Sequence, residues 1–290
     1  MYMQPFHETK LHGTTDFPYI VYHGKMPDFL TSFPLHWHDE MELIYITCGQ
    51  LKVTIWSDTF LAQEGDIVLF MPHTMHALEQ VASHSAEYFN ILFDFSILRS
   101  SKSDTCYEKY VTPFLLHEKR ISYYERHGSK LNTLLTPLLL SLIENRRDSY
   151  STHEYLVISN LYMIMHQLNQ HAIPVKEKEH ITQLSYDKLK LAFYHIQNSY
   201  SKNITIKEVA NLCGFSQSHF MKLFKELTGT SFTTYLINYR LEIAARQLKE
   251  TDWSIIEIAT NCGFNNHSYF TRSFTKKYGT TPKNYRFSKL

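Results

Sequence analysis

The chain has 290 residues, 43% hydrophobic and 20% charged, with a formal net charge of +1, which excludes a disordered or fibrous protein and leaves room for two packed domains. No apolar run reaches the ~18 residues of a membrane span, and Met1 to Phe6 lack the basic-then-apolar pattern of a secretory leader, so the expected setting is the cytoplasm. Cys48, Cys106, Cys213 and Cys262 form neither a C-x-x-C pair nor a disulfide framework, and they read as reduced, mostly structural thiols.

In chain order, short runs bounded by turn residues predict strands at Tyr19–His23, Met41–Thr47, Leu51–Trp56, Asp66–Phe70 and Tyr88–Phe95. Gly49-Gln50 and Glu64-Gly65-Asp66 supply turns, and the first 100 residues are expected to close into a small barrel or sandwich. Within them stand His36-Trp37-His38, Glu42 and Gly49, followed by Gly65, Pro72 and His76. Alternate residues of a strand share a face, so His36 and His38 project together, with Glu42 and His76 closing the same site. The pattern resembles the cupin barrel. Three readings of the quartet stand side by side. It holds a divalent transition metal such as iron, manganese, nickel or zinc, through His36, His38, Glu42 and His76. Alternatively it is metal-free, and Glu42, His38 and His76 bond a polar effector lying among Trp37, Tyr45, Trp56 and Phe70. In the third reading the histidines cap strands at the barrel mouth.

Residues 101–172 change character. Lys130–Arg147 places Leu131, Leu134, Leu135, Leu138, Leu139, Leu142 and Ile143 at helical spacing, with Pro137 either kinking that helix or forcing its start to near Thr136. Glu154–Gln170 repeats the pattern with Leu156, Val157, Leu161, Ile164, Met165 and Leu168, and a turn near Asp148–Thr152 makes the pair a hairpin. Its apolar stripe either covers the barrel or pairs with a second copy. Polar residues from Pro174 to Gln183 read as the linker, spanning 173–185, to a final domain over 186–290.

That final domain is basic. From Tyr186 to Leu290, fifteen Lys and Arg stand against seven Asp and Glu, so the tail carries +8 while residues 1–185 carry −7. A polyanion partner for the tail alone is the natural reading. The tail also contains a repeat: Ile206-Lys-Glu-Val-Ala-Asn-Leu-Cys-Gly-Phe215 matches Ile255-Ile-Glu-Ile-Ala-Thr-Asn-Cys-Gly-Phe264, and Phe220, Phe224 and Gly229 match Phe270, Phe274 and Gly279. Each copy has the physics of a helix-turn-helix. Thr205 with Glu208, and Ser254 with Glu257, form capping boxes. Ala210 and Ala259 let a second helix cross closely, Gly214 and Gly263 fit a tight turn, and Gly229 and Gly279 end the second helix. Those second helices are expected at about 217–227 and 267–278. Phe232–Lys249, striped by Leu236, Tyr239, Ile243, Ala244 and Leu248, forms a rigid connector. It would hold two recognition helices about one DNA turn, ~34 Å, apart.

With these residues in view, 204–286 resembles the DNA-binding domain of the AraC family of transcription regulators, through Gly-Phe-Ser-Gln-Ser-His-Phe at 214–220, Phe224-Lys225 and Tyr-Gly-Thr-Thr-Pro-Lys-Asn-Tyr-Arg at 278–286. The resemblance implies seven helices, double-stranded DNA at a promoter, RNA polymerase as a partner, an opening cupin-like sensor and a homodimer formed through the helical hairpin. With the Phe pairs pointing inward, Gln217, Ser218, Met221 and Lys222 of the first recognition helix point outward, as do His267, Ser268, Tyr269, Thr271 and Arg272 of the second. Arg272 is the leading base reader, because its fork grips guanine O6 and N7. Lys225, Lys276, Lys277 and Arg240 are expected on phosphates. The expected fold is therefore α+β, a small barrel with a helical hairpin followed by an all-α double helix-turn-helix domain. The expected function is an effector-responsive regulator, an activator for preference, whose effector by family analogy is carbohydrate-like. The alternative is a cupin metalloenzyme with an accessory DNA-binding domain.

Overall fold

A computed structural model describes residues 7–287 apart from 9, 28–31, 57, 82–83, 102, 147–151 and 176, with backbone alone within 177–183. Met1 to Phe6 and most of the turn expected near Asp148–Thr152 lie outside the described residues. Two compact units result, His7–Gln183 and Leu184–Leu290. Among the described residues no helix is long and apolar enough to cross a membrane.

The first unit is built on β1 (Tyr19–Met26), β2 (Ser32–His36), β3 (Met41–Ile55), β4 (Asp58–Gln63), β5 (Ile67–Phe70), β6 (His76–Gln80) and β7 (Ala86–Phe93). All their pairings are antiparallel, so each strand faces one way every second residue. The fifteen-residue β3 carries the topology. Its first half pairs with β7 and β5, and its second half pairs with β4 and β6. Gly49-Gln50, expected as a turn between two strands, is instead the point where one strand changes layer. Gly49 adopts φ +77° there, the register slips between Ile46 and Cys48, and a Cβ on Gly49 would collide with the Ser85 carbonyl. A glycine bulge of this kind bends a strand without ending it. Three of the strands, β2, β4 and β6, escape the sequence reading because they are short and mix polar with apolar residues without clear alternation, and Pro34 interrupts β2 where its register against β6 shifts.

One face of the β1–β7–β3–β5 layer is covered by helices. After a single 3-10 turn at Phe95–Leu98 come α1 (Thr105–Tyr110), α2 (Thr112–Leu115), the short strands β8 (Lys119–Arg120) and β9 (Tyr124–Glu125), then α3 (Lys130–Glu144), α4 (His153–His171) and β10 (Ile173–Pro174). Helix α3 starts at its Ser129 cap and runs unbroken through Pro137, so the proline does not mark its beginning. The stripe Leu131, Leu135, Leu139 and Leu142, with Val157, Leu161, Ile164 and Leu168 of α4, packs on Met41, Leu43, Ile67, Leu69, Ile91 and Phe93 in one core. That stripe therefore covers the sheet, and among the described residues of the hairpin the large apolar side chains left exposed are Leu134, Tyr155, Tyr162 and Met163.

The second unit is all helical, with α5 (Glu177–Ser199), α6 (Ile206–Leu212), α7 (Gln217–Thr228), α8 (Phe232–Glu250), α9 (Ile255–Asn261), α10 (His267–Tyr278) and α11 (Pro282–Phe287). The stretch read as a linker is helical from Glu177 onward: its Lys, Glu and Gln residues are good helix formers, and the helix is anchored downstream by buried Leu189, Ala192, Phe193 and Ile196. Both capping boxes form, Thr205 with Glu208 and Ser254 with Glu257. Gly229 and Gly279 end α7 and α10 in the left-handed conformation. Phe220 and Phe224 of α7 and Phe270 and Phe274 of α10 are fully buried, as are Ala210 and Ala259 at the crossings. Helix α8 lies between the copies with Leu236, Tyr239, Ile243, Ala244 and Leu248 buried.

Candidate functional site

Burying the Phe pairs leaves the opposite faces of α7 and α10 to solvent. Gln217, Ser218, Met221, Lys222 and Lys225 are exposed on α7, and His267, Ser268, Tyr269, Thr271, Arg272 and Lys276 are exposed on α10. Each helix starts on a side-chain cap, Ser216 accepting from the His219 amide at 3.3 Å and Asn266 from the Tyr269 amide at 2.9 Å. The caps fix where the first turn of each face begins. His219, exposed with its ring edge 4.9 Å from Phe215, belongs to this surface and was not anticipated. The signal was available: at the repeat's offset of 50 it occupies the position of Tyr269.

Two of the four cations expected on phosphates are committed elsewhere. Arg240 donates through Nε to the Tyr200 carbonyl and through Nη2 to the Lys202 carbonyl, both at 2.7 Å. Its guanidinium therefore ties α8 to the end of α5. Lys277 donates to the Asn238 carbonyl at 3.1 Å and to the Glu242 carboxylate, tying α10 to α8. Sequence spacing gives the face of a helix but not the acceptors that a neighbouring helix brings to it. Lys225 and Lys276 stay exposed. Cys213 and Cys262 are buried, and burial pushes their thiols up to about 11 and about 12.

In the first unit, His36 ends β2, His38 follows it, Glu42 is the second residue of β3 and His76 begins β6. All four are buried. The imidazoles gather, with ring centroids 4.2 Å apart for His36 and His76, 5.2 Å for His38 and His76 and 5.9 Å for His36 and His38. Every Nδ1 meets a backbone carbonyl: His36 on Pro34 at 2.8 Å, His38 on Glu40 at 3.1 Å and His76 on Thr74 at 2.8 Å. A carbonyl accepts only from N–H, so each Nδ1 carries the proton and each Nε2 turns to the interior. There Glu42 Oε2 lies 2.7 Å from His38 Nε2 and 3.0 Å from His76 Nε2. Burial works against the Glu42 carboxylate, but His76 and His38 outweigh it and hold the group well below the usual range. Burial likewise opposes the His38 imidazolium, yet the Glu42 bond and charge win and its pKa rises. Burial, reinforced by the His76 charge, takes His36 down to about 3.

Beside this cluster lies a cavity of about 260 Å³ lined by Glu8, His12, Tyr22, His36, His38, Glu42, Tyr88 and Asn90 among others. The aromatics expected there are elsewhere. Tyr45 packs with the helix-covered core, as the parity of β3 requires once Glu42 points inward. Trp37 sits 4.2 Å from His7, and Trp56 is buried with φ +53° at the end of β3. Phe70 stacks on His76 at 4.0 Å, touching the cluster from behind rather than lining the cavity. The actual lining includes Tyr22 on β1 and Tyr88 and Asn90 on β7, whose alternation was visible in sequence but not its inward phase. Glu8 and His12 precede β1 and carry no periodic signal at all. Burial takes His12 down to about 4 and raises the Glu8 carboxyl.

Comparison with known proteins matches two family models, a helix-turn-helix domain over residues 209–287 and an AraC-like ligand binding domain over residues 27–148. The uncharacterized HTH-type transcriptional regulator YdeC of Bacillus subtilis (strain 168) is 21% identical over 286 residues, covering 98% of this chain and 96% of its own. YfiF of the same organism, also named an uncharacterized HTH-type transcriptional regulator, is 27% identical over 271 residues, covering 92% and 83%. Among solved structures, the C-terminal domain of the two-component response regulator yesN from Fusobacterium nucleatum subsp. nucleatum ATCC 25586 is 32% identical, covers 34% of this chain and 98% of that one, and has a TM-score of 0.33.

Proposed function

Because the chain belongs to the AraC family of DNA-binding transcription regulators, with a ligand-binding domain ahead of its helix-turn-helix domain, we propose that α7 and α10 read successive major grooves of one duplex while the barrel cavity binds a polar small molecule. The observation that carries the proposal is the shared exposed face. In both copies the same helix turns its Phe pair inward and its polar and basic residues outward. On α10, Arg272 grips a base, with His267, Ser268, Tyr269 and Thr271 beside it, and Lys276 meets phosphate. On α7, Gln217, Ser218, Met221 and Lys222 take the equivalent places and Lys225 meets phosphate.

In the barrel, His36, His38, His76, Glu42 and Asn90 supply hydrogen-bonding groups and Tyr22 and Tyr88 supply aromatic walls, a lining suited to a small hydroxylated molecule of the carbohydrate kind. Occupation of the cavity shifts a population of states that place two DNA-binding units differently. A homodimer paired through the exposed residues of α3 and α4, working beside RNA polymerase as an activator in the cytoplasm, completes the reading. Relatives matched along nearly the whole chain are named as transcriptional regulators, so the barrel is taken as a sensor rather than a catalyst.

Genome-wide footprinting of the full chain, followed by anisotropy titration of the recovered sites over a salt series, tests this. The expected result is salt-sensitive binding to a defined site that strengthens or weakens with a metabolite related to the neighbouring genes. Binding indifferent to both sequence and salt would overturn it.

A further inference from the structure

A second cavity, of about 400 Å³, lies in the helical layer of the first unit, between α1, α4 and the 3-10 turn. It shares no lining residue with the cavity beside the histidines. Helical spacing builds its two walls. On α1, Cys106, Tyr107 and Tyr110 fall on one face, and on α4, Tyr162, Met165, His166 and Asn169 recur at i, i+3, i+4 and i+7 and turn to the same space. Two hydrogen bonds act as pillars. Tyr162 Oη donates to the Leu98 carbonyl at 2.9 Å, and Asn169 Nδ2, two turns further along α4, donates to the Tyr110 carbonyl at 3.1 Å. They pin α4 to the 3-10 turn at one end and to α1 at the other, which holds the space between them open. Asn169 is itself fixed by Lys119, whose ammonium donates to Oδ1 at 3.3 Å.

The chemistry of the lining selects the occupant. It contains no Asp, Glu, Lys or Arg. Burial raises the Tyr107 and Tyr162 phenols, so both stay protonated at neutral pH. Arg99, whose guanidinium lies 4.2 Å from the Tyr107 ring centroid, is paired with Glu108 at 2.6 Å. A charged ligand would therefore lose hydration here without gaining a partner. Three tyrosine rings and the Met165 thioether present flat, polarizable surface to an aromatic plane. His166 and Gln170 are exposed, and their side chains make no hydrogen bond among the described residues, so they are left to orient a polar edge. Small-molecule pockets span about 300–1,000 Å³, which this volume matches.

We propose that this cavity is a second small-molecule site, taking a neutral, planar aromatic molecule with a hydroxyl or amide edge. The inference goes beyond the sensor reading and does not depend on it. Leu98, Tyr107, Val111 and Met165 of its floor belong to the core that packs on Met41 and Leu43 of β3. Glu42, between those two residues, faces the barrel cavity, so the two sites lie on opposite faces of one strand.

The test uses the full chain. In Cys48→Ser, Cys106 is the remaining exposed thiol, Cys213 and Cys262 being buried. Its alkylation by iodoacetamide is timed by mass spectrometry with and without 2-naphthol, and 2-naphthol is titrated calorimetrically into the unmutated chain. One equivalent per chain is expected, with about 5-fold protection of Cys106 at saturation, because a pocket covers most of its ligand and shields its own wall. 2-Naphthoate, the same rings bearing a carboxylate, should bind about 10-fold more weakly. Cys106→Trp, at an exposed helix position, fills the space and should weaken 2-naphthol about 20-fold. Protection of Cys106 in Cys48→Ser decides the matter even where Cys106→Trp fails to fold. No saturable binding, unchanged Cys106 reactivity, equal affinity for 2-naphthoate or full affinity in Cys106→Trp would overturn the site. So would alkylation that slows as the protein is concentrated without any probe, since a second copy would then be the occupant. DNA affinity of the same preparation is read separately, so loss of this site and loss of the regulator reading are distinguishable.

Discussion

The two helix-turn-helix copies share a frame and differ in what surrounds it. Both have a capping box, a buried Ala, a glycine turn and a buried Phe pair. Around the first copy there is room: a Cβ on Gly214 would meet nothing within 4 Å. Around the second, a Cβ on Gly263 would lie 2.8 Å from the Tyr200 carbonyl, 2.9 Å from the Ser201 carbonyl and 3.0 Å from the Arg240 guanidinium. The outward faces differ too. Helix α7 exposes Lys222, Lys225 and Glu226, with Glu226 3.9 Å from Lys222, whereas α10 exposes Arg272 and Lys276 and no acid. The two copies thus share their helix geometry, while the second turn is the more closely packed and the second exposed face carries no acid to offset its cations.

That contrast is open to direct attack. Gly263→Ala should cost about 3 kcal/mol, from a left-handed backbone and crowding against two carbonyls, against about 1 kcal/mol for Gly214→Ala, where only the backbone objects. Hydrogen exchange of the α6–α10 amides measures both, and equal losses would break the comparison. Next in size, Arg272→Ala should cost ~1–3 kcal/mol at a single base pair and relax preference there, whereas Met221→Ala, lacking hydrogen-bond donors, should lose less discrimination. Binding to a library of site variants reads the difference, and a uniform loss across sites for Arg272→Ala would reassign it to phosphate.

Where the copies agree, so should their mutants. Thr205→Ala and Ser254→Ala should each cost about 1 kcal/mol, because each removes the same cap, and unequal values by calorimetric or chemical denaturation would show that one box is redundant. Smallest of all, Lys276→Ala should weaken every sequence alike and lower the salt slope by about 1. Lys277→Ala, whose ammonium is held by Asn238 and Glu242, should leave the slope unchanged and lose stability instead. A slope change for Lys277→Ala would mean that this contact opens on DNA.

Much of the tail was legible because its signals are local. Caps, turn glycines and i, i+4 aromatic pairs lie within a dozen residues of one another, and the repeat states them twice. The commitments of Arg240 and Lys277 were not legible, since their acceptors stand about 35–40 residues away on other helices. In the first unit the histidine–glutamate quartet was legible from the two-residue spacing of His36 and His38 and from Glu42, yet its aromatic surroundings were misplaced. Strand parity says which residues share a face, and a bulge at Gly49 or a proline in β2 resets which face that is.

Sequence by itself therefore determined the two-part α+β organisation, the duplicated helix-turn-helix frame, the exposed face of each recognition helix and the four residues of the barrel cluster. Tertiary structure decided the cavity's real lining, with Glu8, His12, Tyr22, Tyr88 and Asn90 in place of Trp37, Tyr45, Trp56 and Phe70, and it decided which cations are left for a partner. Periodicity is a property of one element and is written along the chain. Which element it meets is settled only when distant segments compete to bury apolar area and to satisfy each other's polar groups.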